Sequence, residues 1–147
     1  MLKKLRSLTL LAGVFVSWYA TISAFIRFNE IEGTIFKFQD CTLPNPVTTP
    51  CFWGAIAFLI AFAWSIKLLA KVNEKHEKYL FYLLIASVLF AWVNFAIELK
   101  GVEPTPNSPF SPCPVTTTNP FLSPCFFGSI LFTISMFCSS FLSKKSL

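Results

Sequence analysis

The chain has 147 residues, of which 54% are hydrophobic and 13% are charged, and its formal net charge is +5. A typical soluble domain has about 25% charged residues, so this composition argues against a soluble globular protein. The positive charge does not indicate nucleic-acid binding either, because no base-reading aromatic or polar residues accompany the lysines.

Four long apolar segments predict four transmembrane helices. Each has 19 residues, and Lys67 is the only charge among them; in chain order they are Leu8–Ile26, Phe52–Ala70, Tyr79–Ile97 and Cys125–Ser143. A helix needs roughly 20 apolar residues to cross the hydrocarbon core, and a buried helix of a soluble protein would keep a polar face. The sequence therefore predicts an all-α membrane protein. We expect the first segment to be a retained helix, because Ile22-Ser-Ala24 does not form a small-x-small cleavage site.

The segments between the helices predict two hairpins. The first covers residues 1–72 with a loop at 27–50, and the second covers residues 73–147 with a loop at 98–124. Both loops are rich in proline, which disfavours a long helix. The connector Lys71–Lys78 is short, so we expect the second and third helices to be antiparallel neighbours.

The distribution of Lys and Arg predicts the orientation in the membrane. Nine of these residues lie on the side of the termini and the connector, and three (Arg27, Lys37 and Lys100) lie on the loop side. Cytoplasmic segments carry an excess of Lys and Arg. We therefore expect cytoplasmic N- and C-termini and extracytoplasmic loops at 27–50 and 98–124.

A cysteine-containing motif occurs twice. Cys41 and Cys51 enclose a Pro/Thr/Asn-rich loop and are followed by Phe-Trp-Gly54, while Cys113 and Cys125 enclose a similar loop and are followed by Phe-Phe-Gly128. Aligning Cys51 with Cys125 brings Cys41 opposite Cys113 with a gap of two residues. This repeat predicts a duplicated helix–loop–helix hairpin. Pro50 and Pro124 stand where a first-turn proline would begin each helix.

The repeated cysteines predict disulfide bonds. On the exported side thiols are oxidised, and four cysteines allow three pairings. The duplication favours Cys41–Cys51 and Cys113–Cys125, each contributing roughly 2–3 kcal/mol of stability, and crossed pairing between the hairpins is the alternative. We expect the fifth cysteine, Cys138, to pack as a small apolar residue.

A redox function is the alternative to static disulfides. Cys51 and Cys125 lie at predicted helix N-termini, where the helix dipole favours the thiolate. Four membrane helices with exported cysteine pairs resemble, in general architecture, the quinone-linked thiol oxidases and the vitamin K epoxide reductase group. The resemblance implies that Cys41, Cys51, Cys113 and Cys125 would be catalytic and that a quinone would accept electrons. Those families use a Cys-x-x-Cys motif at a helix start, and this sequence has none.

Other residues give weaker signals. The single histidine, His76, lies in the connector, so no metal site or resident cofactor is predicted. No ionisable residue lies at the centre of a span, which disfavours an ion-coupled transporter. Arg27 and Glu98 end two helices at the same level and are candidates for an ion pair. The polar-tipped residues that are candidates to line a pocket are Trp18, Tyr19, Trp92 and Asn94.

Small residues recur at every fourth position in three helices and predict close-packing seams. The seam residues are Gly13, Ser17 and Thr21; Ala57, Ala61 and Ser65; and Ser135, Ser139 and Ser143. The leading interpretation is a non-catalytic accessory subunit of a membrane complex, which docks on a protein partner or a second copy through these seams. The alternative is a membrane thiol–disulfide oxidoreductase.

Overall fold

The computed structural model describes residues 2–35, 37, 42–70, 73–100, 121 and 123–145. These residues form four α-helices and one 3₁₀ turn at Pro46–Thr48, and they contain no strand; the helices are α1 Leu2–Glu32, α2 Pro50–Ala70, α3 Glu74–Leu99 and α4 Pro124–Lys145. Each helix is long and apolar enough to cross a membrane. The prediction of an all-α membrane protein with four spans is confirmed.

The helix boundaries differ most from the sequence prediction at both ends of α1 and at the start of α3. Helix α1 begins at Leu2, six residues before the predicted Leu8. Helix α1 continues past Arg27 because the next five residues include neither proline nor glycine. It ends at Glu32, directly before Gly33, whose φ of 70° is left-handed. The Gly33 N–H closes the last turn by donating to the Asn29 carbonyl at 2.9 Å. Helix α3 begins four residues into the predicted connector, where the Asn73 side chain accepts from the Lys75 N–H at 3.1 Å.

The helices form a four-helix bundle in which α1 packs on α2 and α4, and α3 packs on α4. Helices α2 and α3 contact each other much less than the other neighbours do. The core includes Leu10, Leu84, Phe58 and Phe132. The Phe58 and Phe132 rings stack with centroids 3.6 Å apart and planes 9° apart, which joins α2 to α4 across the diagonal of the bundle.

Residues that are equivalent in the predicted repeat meet across this diagonal. The alignment of Cys51 with Cys125 also pairs Phe58 with Phe132, and these rings stack. It pairs Ser65 with Ser139, and both hydroxyls accept hydrogen bonds from one side chain of α1. These contacts fit a duplicated hairpin. The duplication and the division at residues 72 and 73 stay predictions, because the second loop lies outside the described residues.

The small residues pack inside the bundle rather than on its surface. Ala61, Ser65, Ser135 and Ser139 are fully buried. At Gly13 the Phe58 ring lies so close that an added Cβ would overlap the Phe58 Cε1 atom. The seams therefore serve contacts within this chain, and the side chain of Ser143 is not described.

Candidate functional site

Two cysteines from different hairpins meet at the end of the bundle where α2 and α4 begin, called the loop end below. Cys51 lies in the first turn of α2 and Cys125 in the first turn of α4, and their Sγ atoms are 3.5 Å apart. A disulfide bond measures about 2.05 Å, so these atoms are in contact without being bonded to each other. The predicted disulfides Cys41–Cys51 and Cys113–Cys125 stay predictions, because Cys41 and Cys113 lie outside the described residues.

The local sequence fixes where each of the two helices begins. Pro50 and Pro124 are the first residues of α2 and α4, as the sequence predicts. Ahead of α4, the Ser123 hydroxyl accepts from the Phe126 N–H at 3.3 Å. The Asn45 side chain accepts from the Val47 N–H at 3.0 Å and so caps the 3₁₀ turn ahead of α2. Both sulfurs are therefore held on well-defined first turns.

A small cavity lies against the two cysteines, with a volume of about 50 Å³. Gly54 and Gly128, one turn after each cysteine, and the stacked Phe58 and Phe132 rings form part of its wall. Asn94 of α3 also lines it, with its amide N–H donating to the Phe90 carbonyl at 2.7 Å.

A larger groove, called the α2–α3 groove below, opens beside this cavity. It has a volume of about 630 Å³ and lies between the first half of α2 and the second half of α3, where these two helices are less closely packed. Its lining consists of Val47, Thr48, Pro50, Trp53, Gly54, Ala57, Ala86, Ser87, Phe90 and Phe132, none of which is charged. Small-molecule sites usually occupy about 300–1,000 Å³, so the groove has room for a drug-sized molecule.

The opposite end of the bundle holds a buried ion pair that the sequence did not predict. The Arg6 side chain is fully buried, and its Nη1 donates to Glu77 Oε1 at 2.8 Å and to Ser139 Oγ at 3.4 Å. Its Nε donates to Ser65 Oγ at 3.2 Å. Arg6 was expected to be a flanking cytoplasmic charge and Glu77 a residue of the connector. Both residues instead lie within helices and are buried, because α1 begins at Leu2 and α3 begins at Glu74.

One sequence signal for this ion pair existed. Arg6, Leu10 and Gly13 are spaced as one face of a helix, and all three are buried. A charge in line with core positions indicates burial with a partner, because an unpaired charge inside a membrane bundle is costly.

The remaining predicted residues are dispersed. Cys138 is buried in α4, as expected. Tyr19 is 77% exposed and lies outside the described pockets, while the Trp92 indole donates to the Thr133 hydroxyl at 3.1 Å. Of the four polar-tipped residues, therefore, Asn94 is the one that lines the cysteine cavity. The Glu98 side chain is not described, so the Arg27–Glu98 pair stays a prediction.

The described residues contain no group of three or more His, Cys, Asp or Glu side chains that could hold a metal ion. Comparisons with protein-family models, curated proteins and solved structures find no match for this chain. The functional argument therefore depends on the geometry of its own residues.

Proposed function

We propose that this chain is a membrane thiol–disulfide oxidoreductase in which Cys51 and Cys125 exchange a disulfide between the two hairpins. The observation that carries the proposal is the 3.5 Å separation of their Sγ atoms. Exchange requires a thiolate sulfur to reach a disulfide sulfur directly. Both cysteines also lie in the first turn of a helix, where unpaired N–H groups favour a negative charge.

The two predicted cysteine pairs would exchange one disulfide in two steps. With Cys41–Cys51 oxidised and Cys113 and Cys125 reduced, the Cys125 thiolate attacks Cys51 Sγ, so that a Cys51–Cys125 bond forms and Cys41 leaves as a thiolate. The Cys113 thiolate then attacks Cys125 Sγ and releases Cys51. Two electrons thereby pass from the second pair to the first, the released thiolates take up two protons, and the Cys113 and Cys125 thiols give up two.

The electrons must then leave the reduced Cys41 and Cys51 pair. A quinone, the acceptor class that the architecture suggests, accepts two electrons and two protons and so balances the oxidation of two thiols to one disulfide. The uncharged α2–α3 groove beside Cys51 fits such a molecule.

The accessory-subunit interpretation has less support from the geometry. It depended on small-residue seams that are available to a partner, whereas the described seam residues at Ala61, Ser65, Ser135 and Ser139 are buried in the bundle. Two static disulfides would still stabilise the loops without any exchange. Experiments on the cysteines separate these two functions.

The first test asks whether Cys51 and Cys125 join when their predicted partners are removed. In the variant Cys41→Ser/Cys113→Ser, we expect mild oxidation to produce a Cys51–Cys125 disulfide, detected by non-reducing peptide mapping. The control Cys41→Ser/Cys113→Ser/Cys125→Ser keeps Cys51 and the buried Cys138, which lies 13 residues further along α4, and should form no intramolecular disulfide. Absence of the Cys51–Cys125 peptide in a folded variant would show the exchange to be wrong.

The second test measures the reduction potentials of the pairs in the wild-type chain. Static disulfides of exported proteins have potentials below about −300 mV, whereas pairs that cycle have higher ones. We expect at least one pair to lie above this limit. If both lie below it, and Cys51→Ser lowers stability without changing any thiol oxidation, the disulfides are structural.

A further inference from the structure

We propose that Glu32 is a positioning residue for the first cysteine pair, because its carboxylate bonds to the chain on both sides of the short segment that contains Cys41. The inference rests on the proposed function, in which Cys41 and Cys51 form a disulfide and later separate. It adds the residue that sets how readily this pair is reduced.

The Glu32 carboxylate makes three contacts within the first loop, called the Glu32 clasp below. The Glu32 side chain is 3% exposed, and its Oε2 accepts from Lys37 Nζ at 2.6 Å. Its Oε1 accepts from the backbone N–H of Thr42 and, at 3.3 Å, from that of Leu43. Residues 38–41 lie outside the described residues, and the residues on either side of them, Lys37 and Thr42, bond to this one carboxylate.

The position of Glu32 is unfavourable for the helix that carries it. Glu32 is the last residue of α1, and the last turn of this helix contains no basic residue. A negative charge at a helix C-terminus is destabilising, because the unpaired carbonyl groups there already carry partial negative charge. The Lys37 ammonium group and the two backbone N–H groups offset this cost with charge-assisted hydrogen bonds. The carboxylate therefore stabilises the loop rather than α1.

A second side chain, that of Asn45, connects the same loop to the start of α2. Asn45 is 4% exposed, and its amide donates to the carbonyls of Lys37 at 2.8 Å and Ile35 at 3.3 Å. Its side-chain oxygen accepts from the N–H of Val47, in the 3₁₀ turn directly ahead of α2. The Glu32 clasp is thereby connected to the first turn of α2, where the second cysteine of the pair lies.

The clasp restricts the loop that the disulfide also closes. Forming a disulfide between Cys41 and Cys51 costs loop-closure entropy, and contacts that already restrict the loop reduce this cost. The clasp therefore favours the oxidised pair. The coupling is reciprocal, so reduction of the pair weakens the clasp by the same factor. Without the clasp the pair should be easier to reduce.

The test measures the redox equilibrium of the Cys41–Cys51 pair in the full chain in detergent. Buffers of reduced and oxidised dithiothreitol set the potential, since one dithiothreitol gives two electrons and two protons to the disulfide and becomes a cyclic disulfide. Alkylation and peptide mapping then give the ratio of reduced to oxidised pair. In Glu32→Ala, which removes the acceptor oxygens, we expect this ratio to rise at least about tenfold in a given buffer, equivalent to a reduction potential about 30 mV higher.

Two further variants separate the clasp from a general effect of charge. Glu32→Gln keeps one acceptor oxygen and loses the charge, so its ratio should lie between those of the wild type and Glu32→Ala. The matched control Glu30→Ala removes an exposed carboxylate from the same end of α1 and should leave the ratio unchanged. The pair of Cys113 and Cys125 belongs to the other hairpin and serves as an internal reference, because its ratio should stay unchanged in every variant.

Three results would overturn the inference. They are equal ratios in Glu32→Ala and Glu30→Ala, a shift of both cysteine pairs together, and a peptide map in which Cys41 is joined to a cysteine other than Cys51. The proposed exchange is tested separately in Cys41→Ser/Cys113→Ser, where Cys41 is absent. A Cys51–Cys125 peptide in that variant supports the exchange even if Glu32 has no effect, and its absence rejects the exchange even if Glu32 shifts the ratio.

Discussion

At the scale of single residues, Arg6 joins all four helices of the bundle. It belongs to α1 and bonds to Ser65 of α2, Glu77 of α3 and Ser139 of α4. The Nη2 atom of Arg6 and the Oε2 atom of Glu77 have no hydrogen-bond partner among the described residues, although both are buried. Removing one partner of a buried ion pair destabilises the protein, because the other charge remains uncompensated in a low-dielectric environment.

We therefore expect Arg6→Met to lower the free energy of unfolding by about 3–5 kcal/mol, since it leaves Glu77 unpaired. Lys4→Met removes an exposed charge of the same helix and should change stability by less than about 0.5 kcal/mol. Reversible unfolding in detergent measures both changes. Equal effects of the two substitutions would show that the Arg6 contacts contribute no special stability.

The sequence predicted the cysteine positions better than it predicted Arg6. Cys51 and Cys125 were recognised because proline, cysteine and two aromatic residues recur at matched places. Their mutual contact was left open, because no local pattern reports how two hairpins dock. Arg6 was taken as a flanking charge, since a rule that counts Lys and Arg near helix ends does not separate residues facing lipid or water from residues facing the core.

At the scale of helices, α1 and α2 approach each other closely at one glycine. Gly13 of α1 lies against the Phe58 ring of α2, which is stacked on Phe132 of α4. A methyl group at Gly13 would therefore push on two aromatic rings of the core. The glycines of the cysteine motifs differ: an added Cβ meets nothing within 4 Å at Gly54, and at Gly128 it would make ordinary contact with Phe58 at 3.7 Å.

We expect Gly13→Ala to lower stability by about 1–3 kcal/mol, because core overpacking outweighs the helix propensity of alanine. Gly54→Ala is the matched control and should be neutral or stabilising by up to about 1 kcal/mol, since alanine favours a helix and has space there. Thermal unfolding in detergent compares the two variants. A Gly13→Ala chain as stable as Gly54→Ala would contradict the close packing of α1 on α2.

The existence of the four helices and the starts of α2 and α4 were predictable, because apolar length and first-turn prolines are local signals. The end of α1 was not, since Arg27 marks the end of the apolar run and not the end of the helix. The α2–α3 groove was also beyond the sequence. It reflects the looser packing of two helices, and the small residues Ala57 and Ala86 beside it do not by themselves indicate a gap.

At the scale of the whole molecule, contacts across the two diagonals join the hairpins. Arg6 and Glu77 connect α1 with α3 at the end opposite the loops, while Phe58 and Phe132 connect α2 with α4 in the core. Cys51 and Cys125 connect α2 with α4 again at the loop end. For disulfides to form at this end of the bundle, the end that holds Cys51 and Cys125 must face an oxidising compartment.

This requirement gives a prediction of orientation, which also follows from the Lys and Arg asymmetry. In Thr34→Cys the new thiol lies at an exposed position on the loop side, and in Asn73→Cys at an exposed position of the connector. We expect an impermeant thiol reagent to label Thr34→Cys in intact cells and to label Asn73→Cys only after the membrane is permeabilised, with sites assigned by peptide mass. Labelling of Asn73→Cys from outside intact cells would show that the topology is the reverse of the predicted one. Cys51 and Cys125 would then lie on the reducing side, where the proposed disulfide exchange has no source of oxidised pairs.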